Sequence, residues 1–359
     1  MRLGIIGLPN SGKTTIFNAL TRGDLPTGVG ISGQLEIHTA TVNVPDPRVD
    51  RLSAMYIPKK TIYAQVTYVD IGGLDKGVSE GGLKGAFRNE LAQLDGFLHV
   101  VRAFADDNVP HPYDSVDPQR DLATLDTEFL LSDLVSTESR LEKIADELRR
   151  KGRTTEAAIL AEKELLERLK LALEAEQPLR DLGLSDEEVK SLRGFGFLTL
   201  KPTLIVLNTG EQAREAGDAL HYEHRLSDVV ALQGKIEAEL AQLSPDDAQM
   251  FMEEYGIVEL SAARVIRLSY SLMHIQSFFT VGQDEVRAWS ILVGATAPEA
   301  AGAIHTDLQK GFIRAEVMAY DDLIALGSEA AMKQAGKMRL EGKEYVVKDG
   351  EIVHIRSGL

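Results

Sequence analysis

The sequence predicts an α/β protein built on a parallel sheet, with an inserted pair of long helices and a small α+β unit towards its C-terminal end. Three observations carry that prediction. A short apolar run, Arg2-Leu3-Gly4-Ile5-Ile6, passes directly into Gly7-Leu8-Pro9-Asn10-Ser11-Gly12-Lys13-Thr14 and then into the helical pattern Thr15-Ile16-Phe17-Asn18-Ala19-Leu20. Residues 96–102 and 203–207 are short, mostly apolar runs of the kind that fill central parallel strands. Between them, residues 121–176 change to helical spacing.

The first element carries the most specific chemistry. Residues 7–14 read G-x-x-x-x-G-K-[ST] between a strand and a helix, the context a phosphate-cradling P-loop requires. Its glycines allow close backbone approach to a nucleotide. The loop N–H groups and the positive end of the helix would surround a β-phosphate. Lys13 is expected to reach the β- and γ-phosphates, and the Thr14 hydroxyl to ligate Mg²⁺.

Residues 21–44 are rich in glycine and threonine, where a nucleotidase of this type carries its first switch. Residues 42–44 suit a strand, Pro45-Asp46-Pro47-Arg48 a stiff turn and residues 50–55 a helix. Residues 61–69 alternate as one strand and end in Asp70-Ile71-Gly72-Gly73, a D-x-x-G about sixty residues after the P-loop. Asp70 would hold Mg²⁺ through water, and the Gly73 N–H would bond the γ-phosphate and sense its loss. A glycine-rich stretch and a helix at 86–95 precede the 96–102 strand. The loop at 105–112 follows the strand's C-terminal end, the edge where open α/β sheets place ligands.

Leu130, Leu134, Leu141, Ile144 and Leu148, then Ile159, Leu166, Leu169 and Leu173, mark two helices of an antiparallel hairpin. Arg149, Arg150, Lys151 and Arg153 lie at its tip. Two readings stand: a solvated polar tip, or a protruding arm that touches RNA or a partner. Ser185-Asp186-Glu187-Glu188 opens another helix. The 203–207 strand ends in Asn208-Thr209-Gly210-Glu211, where P-loop proteins read the base. Guanine readers carry N-K-x-D there. Thr209 and Glu211 replace the Lys and Asp, and the longer acid favours adenine. Residues 229–232 form the last strand, followed by Gln233-Gly234-Lys235 on the base side. In the C-terminal unit, strands at 286–292 and 313–318 flank a helix at 298–310, and residues 345–353 form a hairpin with an Asp-Gly turn.

Composition bounds the function class. The chain has 359 residues, enough for two or three domains. No run approaches the roughly 18 apolar residues of a membrane span. The first strand begins at residue 2, so no signal or transit peptide is expected. There is no cysteine, which excludes disulfides and thiolate metal sites and is compatible with a reducing compartment. A net charge of −16 argues against nonspecific nucleic-acid binding by the whole surface, DNA included, but leaves room for a local basic patch.

These motifs together resemble the YchF-type Obg-like ATPases. The resemblance rests on GLPNSGKTT at 7–15, NVPDPRVDRL at 43–52, DIGGLDKG at 70–77, HVVRAFADDNVPH at 99–111, NTGE at 208–211, FFTVGQDEVRAW at 278–289 and HTDLQKGFIRAEVMAYDDL at 305–323. It implies a P-loop nucleotidase domain at 1–123 and 199–276, a coiled-coil insertion at 124–198 and a ubiquitin-like TGS domain at 277–359. It also implies slow ATP hydrolysis with Mg²⁺, cytoplasmic location, and association with the ribosome or a subunit, with rRNA as one route of contact. GTP is the less expected nucleotide.

Residue by residue, Gly7, Asn10, Ser11, Gly12, Lys13, Thr14 and Thr15 match the phosphate loop. Asn10 matches the asparagine that helps hold K⁺ beside the phosphates in related cation-activated nucleotidases. Asn208 and Glu211 match the N-x-x-E base reader. Leu74 stands where Ras-like enzymes have a water-orienting Gln, and a leucine cannot orient water. His111, similar to the family's loop histidine, is the candidate for that work. Three departures follow. Gln34-Leu35-Glu36-Ile37 replaces T-I-E-P, removing the switch threonine, with Thr39 or Thr41 as substitutes. Asp75 stands at an apolar position. Gln233-Gly234-Lys235 replaces small residues. The alternatives to an ATPase are a GTPase that tolerates the altered base motif, and a nucleotide-gated ribosome-binding module with negligible turnover.

Overall fold

In the computed structural model, residues 1–27, 37–71, 83, 85–151, 157–211, 217, 220–254 and 260–358 are described. They divide into two compact units, Met1–Ala40 with Thr67–Val265, and Thr41–Val66 with Ile266–Leu359.

The first unit is built on a six-stranded sheet. Its strands are β1 (Arg2–Ile6), β2 (Ile37–Asn43), β4 (Gln65–Ile71), β5 (Gly96–Arg102), β6 (Thr203–Asn208) and β7 (Ser227–Leu232). The order is β2-β4-β1-β5-β6-β7, and the β4-β1-β5-β6-β7 pairs are parallel. Every residue of β5 and β6 is buried, which explains their mostly apolar character. Helices α1 (Lys13–Thr21) and α3 (Gly85–Ala92) follow strands β1 and β4 in the chain.

The long pair α4 (Pro118–Lys151) and α5 (Ala157–Glu174) packs through Leu130, Leu134, Leu141, Ile144, Leu166, Leu169 and Leu173. Arg140 pairs with Glu162, and Glu138 with Lys170, so the two helices run in opposite directions. Among the expected tip residues, Arg149 is paired to Asp146, while Arg153 lies outside the described residues. Helix α6 (Asp186–Leu192) starts at Ser185 as the sequence indicates, with a reciprocal capping box to Glu188. Helices α7 (Gly234–Ala241), α8 (Pro245–Glu254) and α9 (Ser261–Leu272) complete this part of the chain.

The second unit holds its own sheet. It contains β3 (Lys60–Ile62), β8 (Ile275–Thr280), β9 (Glu285–Leu292), β10 (Phe312–Met318), β11 (Arg339–Glu341) and β12 (Ile352–Ser357), in the order β11-β10-β12-β8-β9-β3. Phe278, Ala297, Ala300, Ala301, Ala315, Val317 and Val353 form its core.

Four sequence expectations change here. Residues 61–69 are not one strand: β3 joins β9 in this second sheet, and β4 joins β1 in the first. The break falls at Tyr63-Ala64, where Ala64 O accepts from Val44 N–H at 2.7 Å. The helix α2 (Pro47–Tyr56), capped by Asp46 with Pro47 in its first turn, also belongs to the second unit and packs on β9. That unit is therefore larger than 277–359. Residues 345–353 do not form a hairpin. Gly350 takes the expected turn at φ 80°, but Tyr345 O accepts from Ala297 N–H, Val347 N–H donates to Ala295 O, and β12 pairs with β10. The 298–310 helix is two helices, Ala297–Ile304 and Thr306–Lys310, because His305 is extended and caps the second.

Candidate functional site

The loop after β1 is shaped by two glycines. Gly7 has φ 150°, and a Cβ there would lie 2.3 Å from Val100 O. Gly12 has φ 92°, and a Cβ there would lie 2.3 Å from Asn208 Nδ2. Both contacts exclude any larger residue. Asn10, at φ 59°, adopts the left-handed region that asparagine tolerates. Gly12 is also the N-cap of α1 and, having no side chain, gives no cap bond to the helix's opening N–H groups. The loop therefore presents a positive helix end without an internal anion. Among the described residues the buried Ser11 Oγ has no hydrogen-bond partner, an orphan donor inside the same loop.

Lys13 folds back, its Nζ donating to Gly7 O at 3.0 Å and Leu8 O at 2.9 Å. Thr14 Oγ1 donates to Asp70 Oδ2 at 2.9 Å. Burial raises the Asp70 pKa, opposed by Thr14, Lys13 and His38. A buried carboxylate beside a hydroxyl, with cations close by, is a set of hard oxygen donors suited to Mg²⁺. That ion commonly takes one or two protein oxygens and completes its shell with phosphate and water. Beneath the loop, His99 on β5 is fully buried, and burial pushes its pKa down to about 3, so it is a neutral core side chain.

The loop after β5 is held against the phosphate loop. Arg102, itself buried, donates to Phe104 O at 3.0 Å, Val109 O at 2.9 Å and Asn10 O at 3.5 Å. Asn10 Nδ2 donates to Pro110 O at 2.9 Å. His111 is buried: its Nε2 bonds Asp121 Oδ2 at 2.8 Å, and its Nδ1 accepts from Tyr113 N–H at 3.1 Å. Asp121 Oδ1 in turn accepts from Arg120.

At the C-terminal end of β6, Asn208 Nδ2 donates to Ser11 O at 3.0 Å, and its Oδ1 accepts from Gly210 N–H at 3.2 Å. Asn208 thus ties the base-side loop to the phosphate loop. Glu211 pairs with Lys235 at 2.6 Å, and Gln233 Nε2 donates to Glu211 O at 2.7 Å.

The structure brings together Gly7, Asn10, Ser11, Gly12, Lys13, Thr14, Asp70 and Asn208, with Thr15 in the first turn of α1 and Glu211 at the β6 loop. Gly73, Leu74 and Asp75 lie outside the described residues, as do Gln34, Leu35 and Glu36. Thr39 and Thr41 are exposed residues of β2. Sequence reading missed Arg102, Asp121 and the Lys235 ion pair. A charged residue closing an otherwise apolar strand was the available signal for Arg102; the other two pairings follow no period.

Comparisons with known proteins agree with this geometry. Residues 2–128 match the family described as 50S ribosome-binding GTPase, and residues 275–358 match the YchF-GTPase C-terminal family, described as a protein of unknown function. The chain is 40% identical over 364 residues to the "Ribosome-binding ATPase YchF" of Bacillus subtilis (strain 168), covering 98% of each protein. It is 41% identical over 359 residues to the protein of the same name in Escherichia coli O157:H7, again covering 98% of each. It is similar to the solved structure titled "Structure of the Schizosaccharomyces pombe YchF GTPase", with a TM-score of 0.82, 32% identity, and coverage of 99% of this chain and 97% of that one.

Proposed function

The chain belongs to the YchF family, and from that premise we propose that it is a slow Mg²⁺-dependent ATPase that works on the ribosome. The observation that supports this best is the convergence of Lys13, Thr14 and Asp70 at an uncapped helix N-terminus.

The chemistry follows from what these groups can do. In hydrolysis a water oxygen bonds to the γ-phosphorus while the bond to the β–γ bridging oxygen breaks, giving ADP and phosphate. Lys13 leaves the Gly7 and Leu8 carbonyls for the β- and γ-phosphate oxygens, and the loop N–H groups take up the β-phosphate. Thr14 directly and Asp70 through water would hold Mg²⁺, which would supply positive charge beside the phosphates. Asn10 Oδ1 would be the oxygen offered to K⁺, its amide nitrogen being bound to Pro110 O. His111 is the assigned proton handler and acts only after exchanging Asp121 for the nucleophilic water. With Leu74 after the D-x-x-G, nothing at that position orients water, which accords with slow turnover.

Asn208 braces the site and Glu211 reads the base. The finer architecture assigned is a coiled coil at 124–198 and a TGS domain within the second unit. Ribosome contact through rRNA and a cytoplasmic location complete the reading. No helix among the described residues is long and apolar enough to cross a membrane. One specific observation keeps GTP as the second reading: the yeast relative's title says GTPase, whereas the bacterial relatives are named ATPases.

The test is nucleotide titration of the full chain and of Lys13→Ala. Wild type is expected to bind ATP with Mg²⁺ and release ADP, and Lys13→Ala to lose binding and turnover together. An unaltered ATP affinity in the variant would overturn the assignment.

A further inference from the structure

We propose that Lys235 determines the choice of purine: by engaging one carboxylate oxygen of Glu211 and placing an ammonium beside it, it leaves one unengaged oxygen next to a donor and selects adenine over guanine. The inference rests on the ATPase reading above and extends it to a residue outside the phosphate loop.

Lys235 and Glu211 come from different loops at the same sheet edge. Glu211 lies three residues beyond the end of β6, and Lys235 is the second residue of α7, just after β7. Lys235 Nζ lies 2.6 Å from Glu211 Oε1. Gln233 Nε2 holds the main-chain oxygen of Glu211 at 2.7 Å. Residues following β7 therefore bond both the main-chain oxygen and the carboxylate of Glu211. Asn208 is engaged at both ends of its amide by Ser11 O and Gly210 N–H. Among the described residues at this edge, Glu211 and Lys235 form the charged pair available to the edge of the base.

The two purines ask for different partners. Guanine presents two adjacent N–H donors, N1–H and the 2-amino group, and a carboxylate satisfies both only with both of its oxygens. Adenine presents one donor, the 6-amino group, beside an acceptor, N1. A carboxylate with one oxygen held by an ammonium offers that complement: the free oxygen faces the amino group, and the ammonium faces N1. The ion pair is more than half exposed, with side chains 62% and 63% accessible, so it holds weakly in water. A base laid over the pair removes water and strengthens each contact.

The test is competition of ADP and GDP against a fluorescent ADP analogue, on the full chain and on Lys235→Met and Lys235→Arg. Lys235 is exposed, so neither substitution disturbs the core. Wild type should prefer ADP. The ratio of GDP to ADP dissociation constants should fall about tenfold in Lys235→Met, the worth of one charge-assisted contact, and stay within about twofold of wild type in Lys235→Arg. An unchanged ratio in Lys235→Met, or a wild type that binds GDP as tightly as ADP, overturns the inference and leaves the phosphate site standing. A wild type that binds neither nucleotide at millimolar levels overturns the functional reading and the inference with it.

Discussion

His111 has no free ring nitrogen in this structure. Asp121 holds Nε2 and the Tyr113 amide holds Nδ1, and the side chain is only 5% exposed. A histidine in that state moves no proton for a substrate, so the proton-handling role proposed for it requires the Asp121 bond to break. The expected result is that His111→Ala lowers kcat by about 100-fold and leaves ATP affinity within about twofold, measured by single-turnover kinetics and equilibrium titration. A loss confined to affinity would remove the assignment. The phosphate loop was legible residue by residue because its backbone angles and charges leave few residue types free to fill it. Gly7 and Gly12 are there for close contacts, and Lys13 and Thr14 for their reach. Asp121 was not legible, because a side chain ten positions downstream meets His111 only through the path of an irregular loop.

At the scale of the element, Asp133 on α4 is the tie that fixes the long helix pair to the returning chain. It is fully buried and accepts from Leu198 N–H at 2.9 Å, Thr199 N–H at 2.8 Å and Thr199 Oγ1 at 2.8 Å. Asp133→Ala leaves three buried donors unpartnered and should cost about 3 kcal/mol in denaturant unfolding. Burial also raises the Asp133 pKa from an ordinary 3.8 to about 6. Because the folded value is the higher one, folding takes up a proton between those limits. This contribution is complete below the unfolded value and lost as pH rises through the folded one. Wild type should therefore gain stability relative to Asp133→Asn as pH falls from about 6 to about 4. The leucine spacing of α4 and α5 made the helices readable in advance. The division of 61–69 between β3 and β4 was not, since alternation records a half-buried face and says nothing about which sheet supplies it.

At the scale of the whole molecule, the domain boundary read from sequence followed chain order, whereas the second unit is assembled from two distant segments. Its α2 buries Val49 and Leu52 completely, and Arg48 pairs with Asp349 at 2.7 Å. A chain cut after Val265 keeps α2 and β3 but loses their sheet. It should elute as aggregate in size-exclusion chromatography and melt below the full chain. A monodisperse truncated chain with undiminished ATP binding would contradict this.

The same split sets an order of events during synthesis. Residues 41–66 leave the ribosome early, yet the strand that receives β3 is made only after residues 67–265 have emerged. At roughly 5–20 residues per second, this segment waits on the order of ten seconds or more with its apolar side chains unsheltered. A nascent chain in that state invites a chaperone, and codon changes that lengthen the wait should lower soluble yield without altering a single amino acid.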